Sequence, residues 1–126
     1  NNIYILGNLA AEDRNALYRS CYAVVFPSYL RSEAFGITLV EGAMHGKALI
    51  SSEIGTGTTF INQHGHTGLV VKPSDPKELN NALKTLWNDP QLALTLGQNA
   101  RKRYEEHFTA DKMAKSYKSI YEKLLY

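Results

Sequence analysis

The chain has 126 residues, 44% of them apolar, and a formal charge of +2, which suits one domain with a single buried core. Its basic residues are spread along the sequence with a mild excess near the C-terminus, so no nucleic-acid partner is expected. The single cysteine, Cys21, excludes an internal disulfide framework and fits a reducing compartment such as the cytoplasm, and no apolar run approaches the ~20 residues of a membrane span.

The sequence opens NNIYIL, without methionine and already inside what reads as a strand, which points to a fragment of a longer protein. Ile3 to Leu6 is an apolar run closed by Gly7 and Asn8, the pattern of a buried strand entering a turn. AAEDRNALYRS follows, with an acidic start and Leu17 and Tyr18 as its apolar positions, and reads as a surface helix. Tyr22 to Phe26 is β-rich and ends at Pro27-Ser28, Gly36 to His45 is a helix stopped by Gly46, and Ala48 to Ser51 is again strand-like. The loop EIGTGTT leads to one helical turn at Phe60 to Gln63 and a fourth strand at Leu69 to Val71. All four strands are nearly unbroken apolar runs, the mark of a parallel sheet covered on both faces.

Three helices complete the chain. Asp75 and Pro76 start the first, with Leu79, Leu83, Leu86 and Trp87 at helical spacing. Pro90 to His107 carries Leu92, Leu96, Ala100 and Tyr104 at steps of four. The last, from Ala110 to Leu125 with Thr109 as its cap, sets Met113, Tyr117, Ile120, Tyr121 and Leu124 on one face. The fold class is therefore α/β, a parallel sheet followed by C-terminal helices. Such sheets bind ligands in the loops at the carboxyl ends of their strands, here Pro27 to Phe35 and Ser51 to Thr59.

The first of these loops runs into a helix whose opening turn is expected at Phe35, Gly36, Ile37 and Thr38. Amides in that turn lack intrahelical acceptors and the helix dipole adds partial positive charge, so the turn can hold an anion such as a phosphate, with Gly36 permitting close approach. Glu33 lies just before the turn, and Glu41 lies about 5–8 Å further along at 1.5 Å per residue. An anion at the helix start would be flanked by two hydroxyl acceptors, which suits a nucleotide sugar. Glutamates near a helix start also serve as plain dipole partners or caps, so spacing alone leaves both readings open.

The run FPSYLRSEAFGITLVEGAMHGKALISS resembles the signature of the retaining glycosyltransferases with the GT-B fold, the glycosyl transferases group 1 family, whose nucleotide-sugar domain carries Glu, seven residues, Glu. GNLAAEDRNALYRSCYAVVFPS, HGHTGLVVKPSDPKELNNALKTLWNDP and LGQNARKRYEEHFTADKMAKSYKSIYEKL resemble the family's successive segments in the same order, so the likeness covers essentially the whole chain. The resemblance implies a Rossmann-like, partial C-terminal half of a GT-B fold spanning residues 1–126, the N-terminal domain and the start of this domain lying outside it. It implies Glu33 as the catalytic and donor-sugar residue, Glu41 on the ribose, and the amides of Phe35, Gly36, Ile37 and Thr38 on the diphosphate. No cofactor or metal is implied beyond the nucleotide-diphosphate sugar donor. The acceptor, a saccharide or a lipid-linked one, would come through the other domain, with the parent peripheral at the inner face of the plasma membrane. Ala48 and Gly42 replace the family's usual proline and alanine, both away from the proposed contacts. The segment SSEIGTGTTFIN is most similar to members that build bacterial surface polysaccharides, often with mannose-type donors.

Other residues are weaker candidates. Arg31 is one of few cations near the anion site, and Gly55 and Thr56 could line the donor or acceptor pocket, although a turn with Thr56 or Thr58 as a helix cap explains them equally well. His64 and His66 read as a solvated loop rather than metal ligands, His45 as a satisfied helix-end residue, and Lys47 as a complement to the dipole of the helix it follows. Cys21 reads as a small core residue. The lysine-flanked stripe of the last helix reads as packing on protein, with an anionic membrane surface as the alternative. A sugar-nucleotide epimerase of the same architecture and a non-catalytic nucleotide-sugar-binding or scaffold domain are the competing functions.

Overall fold

A computed structural model describes residues 2–125 and contains, in chain order, α1 (Ala11–Ser20), β1 (Ala23–Phe26), α2 (Ile37–Met44), β2 (Ala48–Ser52), α3 (Thr58–Ile61), β3 (Gly68–Val71), α4 (Pro76–Asn88), α5 (Pro90–His107) and α6 (Ala110–Leu125). The three strands form one parallel sheet in the order β1-β2-β3, with Ala23 opposite Ala48 and Leu49 opposite Gly68. The helix starts follow the sequence closely. Asp75 accepts hydrogen bonds from the amides of Lys77 and Glu78, Asp89 from that of Leu92, and Thr109 from that of Lys112. Each cap satisfies amides that the helix leaves unpaired.

Every residue of β2 is buried, because side chains alternate between two covered faces. Ala48 and Ile50 pack with Val71 against Ala82 and Leu86 of α4 and Ala93 and Leu96 of α5. On the other face, Leu49 and Val24 pack against Leu39 and Ala43 of α2, Ile61 of α3 and Ala100 of α5. Helix α5 serves both layers because it crosses the amino end of β2, and the crossing point is Gly97. A Cβ there would lie 2.2 Å from the carbonyl oxygen of Gly46 and 3.3 Å from the amide nitrogen of Ala48. The gap admits no side chain.

Three expectations fail within the described residues. Ile3 to Leu6 is not part of the sheet; Ile5 is 96% exposed and Tyr4 80%. An apolar run becomes a strand only beside a neighbour that bonds its backbone, and within the described residues β1 has β2 on one side and no strand on the other. The sheet therefore has three of the four expected strands. Coverage is also unequal, since Val25 of the edge strand is 38% exposed while β2 is wholly enclosed. In α4, Leu86 is buried, but Leu83 and Trp87 are exposed and Trp87 meets Tyr22 edge-on. The apolar stripe of α6 is exposed along its length, Met113 through Leu124, and no residue of that helix is buried.

Gly97→Ala decides between helix propensity, which favours alanine by roughly 1 kcal/mol, and the backbone contact at Gly46, which must open. Overpacking of this kind costs about 1–3 kcal/mol, and here the neighbour is backbone rather than a movable side chain, so the variant is expected to be less stable. A urea midpoint at or above that of the wild type would contradict the crossing described.

Candidate donor site

Strand β1 delivers the chain at Pro27 into a loop that turns back through the hydrogen bond from Glu33 N to Leu30 O (3.2 Å). Helix α2 begins at Ile37, one residue later than the sequence suggested, because Gly36 is its N-cap with φ of +95°. That is the left-handed region, open to glycine at little cost. A Cβ at Gly36 would also press on Leu39 (3.2 Å) and Thr58 (3.3 Å). The amide of Gly36 donates to Oε1 of Glu33 at 2.9 Å, and its carbonyl accepts from Leu39 at 3.0 Å and Val40 at 3.4 Å. Glu33 thus closes its own loop over the helix start. Of the four amides expected to face an anion, that of Gly36 is taken by Glu33. Those of Ile37 and Thr38 have no hydrogen-bond acceptor among the described residues, and they sit where the helix dipole is most positive.

The second carboxyl-end loop is tied to the first. Arg31 donates from Nη2 to the carbonyl of Gly55 (3.3 Å), and the amide of Gly57 donates to the carbonyl of Ala34 (2.9 Å). The structure therefore brings Arg31 and Gly55 together beside the helix start, although Arg31 is exposed and spends this contact on backbone. Thr56 and Thr58 do not cap α3. Its N-cap is Gly57, without a side-chain bond, and the hydroxyls of both threonines are buried without a partner among the described residues. The helical turn lies at Thr58–Ile61 rather than at Phe60 to Gln63.

Glu41, one turn into α2, faces α1 instead of the loops. Its Oε2 accepts from the hydroxyl of Tyr18 at 2.9 Å, and its Oε1 lies 3.6 Å from Nη2 of Arg14. Arg14 is about half exposed, so this ion pair contributes little beyond orientation. Tyr18 also stacks on His45, with centroids 5.3 Å apart, and His45 makes a 2.8 Å contact from Nδ1 to the carbonyl of Glu41. Burial, then the hydrogen bond to the Glu41 carboxylate, pushes the Tyr18 phenol up to about 12. The two carboxylates are thus held by different elements. Tyr18 and Arg14 were not legible as site residues, because their partner lies 23 positions or more along the chain; the available signal was a tyrosine on an apolar face, whose hydroxyl needs a partner when buried.

The remaining candidates are spent on structure. Lys47 donates to the carbonyl of Arg19 (2.9 Å) and so completes the end of α1, not of α2 as its position suggested. Helix α2 ends instead in a Schellman motif, with Gly46 at φ +67° and the amide of Lys47 bonded to Gly42 O. Nδ1 of His64 accepts from the amide of Val70 (3.0 Å), and the carbonyl of His66 accepts from Asn99 (3.0 Å). Cys21 is half-buried against the α2 layer, where burial pushes its thiol up. Among the described residues no group of three or more His, Cys, Asp or Glu is placed to hold a metal ion, and no helix is long and apolar enough to cross a membrane.

This layout, a parallel sheet opening through two tied loops onto a glycine-started helix between two glutamates, can be compared with known proteins. Residues 1–103 match the family described as glycosyl transferases group 1. The chain belongs to that family. It is 58% identical to the D-rhamnosyltransferase WbpZ of Pseudomonas aeruginosa over 86% of this chain and 29% of that protein. It is 50% identical to the O-antigen chain mannosyltransferase C of Escherichia coli over 98% of this chain and 33% of that protein. The chain thus spans about a third of the length of these relatives. Among solved structures, it superposes on the sucrose-phosphate synthase of Thermosynechococcus elongatus with a TM-score of 0.86 and 32% identity, over 95% of this chain and 29% of that one. It also matches HepE of Anabaena, solved in complex with UDP-glucose, with a TM-score of 0.72 and 26% identity, over 82% and 29%. The α/β sheet is accordingly the Rossmann-like sheet of a GT-B glycosyltransferase.

Two outcomes follow from this geometry. Thr58→Val keeps the β-branched shape and removes a buried hydroxyl that meets no partner, so thermal melting should show a variant more stable by about 1 kcal/mol; a lower melting temperature would mean that the hydroxyl is bonded after all. Because the folded-state pKa of Tyr18 is raised above its ordinary 10.0 to about 12, its contribution to stability is fully present below pH 10 and is lost as pH rises towards 12. Urea titrations across that window should find a decline in the wild type that is shallower in Tyr18→Phe.

Proposed function

We propose that this chain is the donor-binding part of a glycosyltransferase that moves a sugar from a nucleotide-diphosphate sugar to an acceptor hydroxyl with retention of configuration, in the assembly of bacterial surface polysaccharide or lipopolysaccharide. The observation that carries the reading is the start of α2, where Glu33 holds the Gly36 amide and leaves those of Ile37 and Thr38 free. The diphosphate would take these two amides and the dipole behind them, which stabilises the charge that develops on the leaving group as the glycosidic bond breaks. Phe35 and Gly36 would contribute backbone close to it. Glu33 keeps Oε2 for a donor-sugar hydroxyl while Oε1 stays on Gly36. Glu41 has lone pairs left beyond Tyr18 and Arg14, since a carboxylate offers about four acceptor sites, and these would meet the ribose. Arg31, with Gly55 and Thr56, would border the sugar.

Support for the donor class comes from the relatives named as D-rhamnosyl- and mannosyltransferases, so mannose or D-rhamnose on a nucleoside diphosphate is the donor proposed. Retention rests on the family resemblance. A further domain outside this chain would present the saccharide or lipid-linked acceptor across a cleft, at the inner face of the plasma membrane.

The test uses the full-length protein and a panel of nucleotide sugars. Glu33→Ala is expected to lower kcat by about 100-fold or more, the scale of losing one group aimed at developing charge. Glu41→Ala should raise the donor KM by about 10-fold, the scale of one charged hydrogen bond. Folded variants with unchanged transfer would favour a scaffold role, and an isomerised nucleotide sugar as the product would favour an epimerase.

A further inference from the structure

A cavity of about 190 Å³ opens at the carboxyl ends of all three strands on the opposite face of the sheet from α2, beneath the start of α4. Its floor is apolar, made by Val71, Leu79 and Pro27, and Tyr29 stands at its mouth, 63% exposed. Ser52 decides its chemistry. It ends β2 on the face shared by Ala48 and Ile50, is 3% exposed, lines the cavity, and its hydroxyl has no hydrogen-bond partner among the described residues. Its oxygen is not among the fully enclosed unbonded atoms of the described residues, which are those of Thr56 and Thr58, so it opens into the cavity and is available to whatever enters.

The lining selects a neutral ligand. An anion would be drawn to the N-terminus of α4, but Asp75 already occupies it, accepting from the amides of Lys77 and Glu78 at 3.0 Å each and adding negative charge. Lys72, the one lysine or arginine among the lining residues, is paired with Glu78 at 3.4 Å. What remains is one unused Asp75 oxygen, the hydroxyls of Ser52 and Ser74, an aromatic ring and an apolar floor. Ser74 is also the one non-glycine residue with positive φ, +57°, among the described residues, a backbone state seldom kept without a local constraint. Hydroxyl partners around an apolar floor match a pyranose, which carries hydroxyls at its edge and C–H groups on its faces. The volume lies below the roughly 300–1,000 Å³ typical of drug-sized ligands, which suits a single ring.

We propose that this cavity binds one pyranose unit of the saccharide acceptor, with Ser52 and Asp75 as its hydrogen-bond partners and Tyr29 against its face. This rests on the transferase reading above, and adds a subsite on the α4 face of the sheet that shares Pro27 and Tyr29 with the open pocket holding Glu33.

The experiment is saturation-transfer NMR on the full-length protein with methyl α-mannopyranoside, carried out with saturating nucleoside diphosphate so that the donor site is filled. The sugar should bind under these conditions, and Ser52→Val, which removes the hydroxyl and fills the cavity, should weaken it at least tenfold. Tyr29→Ala should weaken it similarly, and because Tyr29 is largely exposed this second variant does not depend on repacking β2. In transfer assays both variants should raise the acceptor KM, and Ser52→Val should leave the donor KM unchanged. Absence of sugar binding to the wild type, displacement of the sugar by nucleoside diphosphate, or wild-type affinity in a folded Tyr29→Ala variant would overturn the proposal. Failure of the transferase reading shows itself separately, as no glycoside product from any donor in the panel.

Discussion

The enclosure of β2 on both faces is the constraint on which the rest of the molecule depends. A polar side chain on a strand covered on both faces is least costly when it is bonded, and Ser51 is: its hydroxyl accepts from Nδ2 of Asn62 at 2.8 Å, whereas Ser52 opens to the cavity beneath α4. Asn62 also donates to the carbonyl of Leu69 and accepts at Oδ1 from Thr67, whose hydroxyl in turn accepts from the amide of Gln63. This closed network fixes the segment between α3 and β3 against the sheet. The glycine and threonine loop is therefore anchored at both ends, by β2 and by α3. Its contacts with Ala34 and Arg31 inherit that order.

Helix α2 is held in the same way from several directions. Gly36 and Glu33 set its start, Gly46 and the Arg101 guanidinium on the carbonyl of Met44 set its end, and Tyr18 holds Glu41 at its side. A binding group held within narrow limits before the ligand arrives loses less entropy when it binds. The carboxylate on Gly36 has a second consequence. It balances the dipole of α2, so under the function proposed above a diphosphate would meet a like charge nearby and would draw its attraction from the amides of Ile37 and Thr38.

Much of this was legible in the sequence because it is local. The caps at Asp75 and Thr109, the glycine stop at Gly46 and the position of α2 between two strands all follow from side chains acting within four residues of themselves. The run at Ile3 to Leu6 was misread for the complementary reason: apolar content permits a strand, but only an adjacent backbone makes one. Leu83 and Trp87 fit the helical period and are still exposed, since periodicity defines a face and only packing decides how wide the covered part is. The α6 stripe shows the same limit, its apolar face being complete in sequence and uncovered in this chain.

The sequence by itself determined the spacing of Glu33, Gly36 and Glu41, the parallel α/β order and the helix ends, because each depends on short-range geometry and backbone chemistry. Tertiary structure alone decided that Arg31 meets Gly55, that Tyr18 takes Glu41, and that Ser52 reaches the carboxyl end of the sheet unpaired beside Asp75. Those pairings join residues 23 or more positions apart. The energy that selects them comes from closing the two layers over β2, which is a property of the packed chain and has no counterpart in any local run of residues.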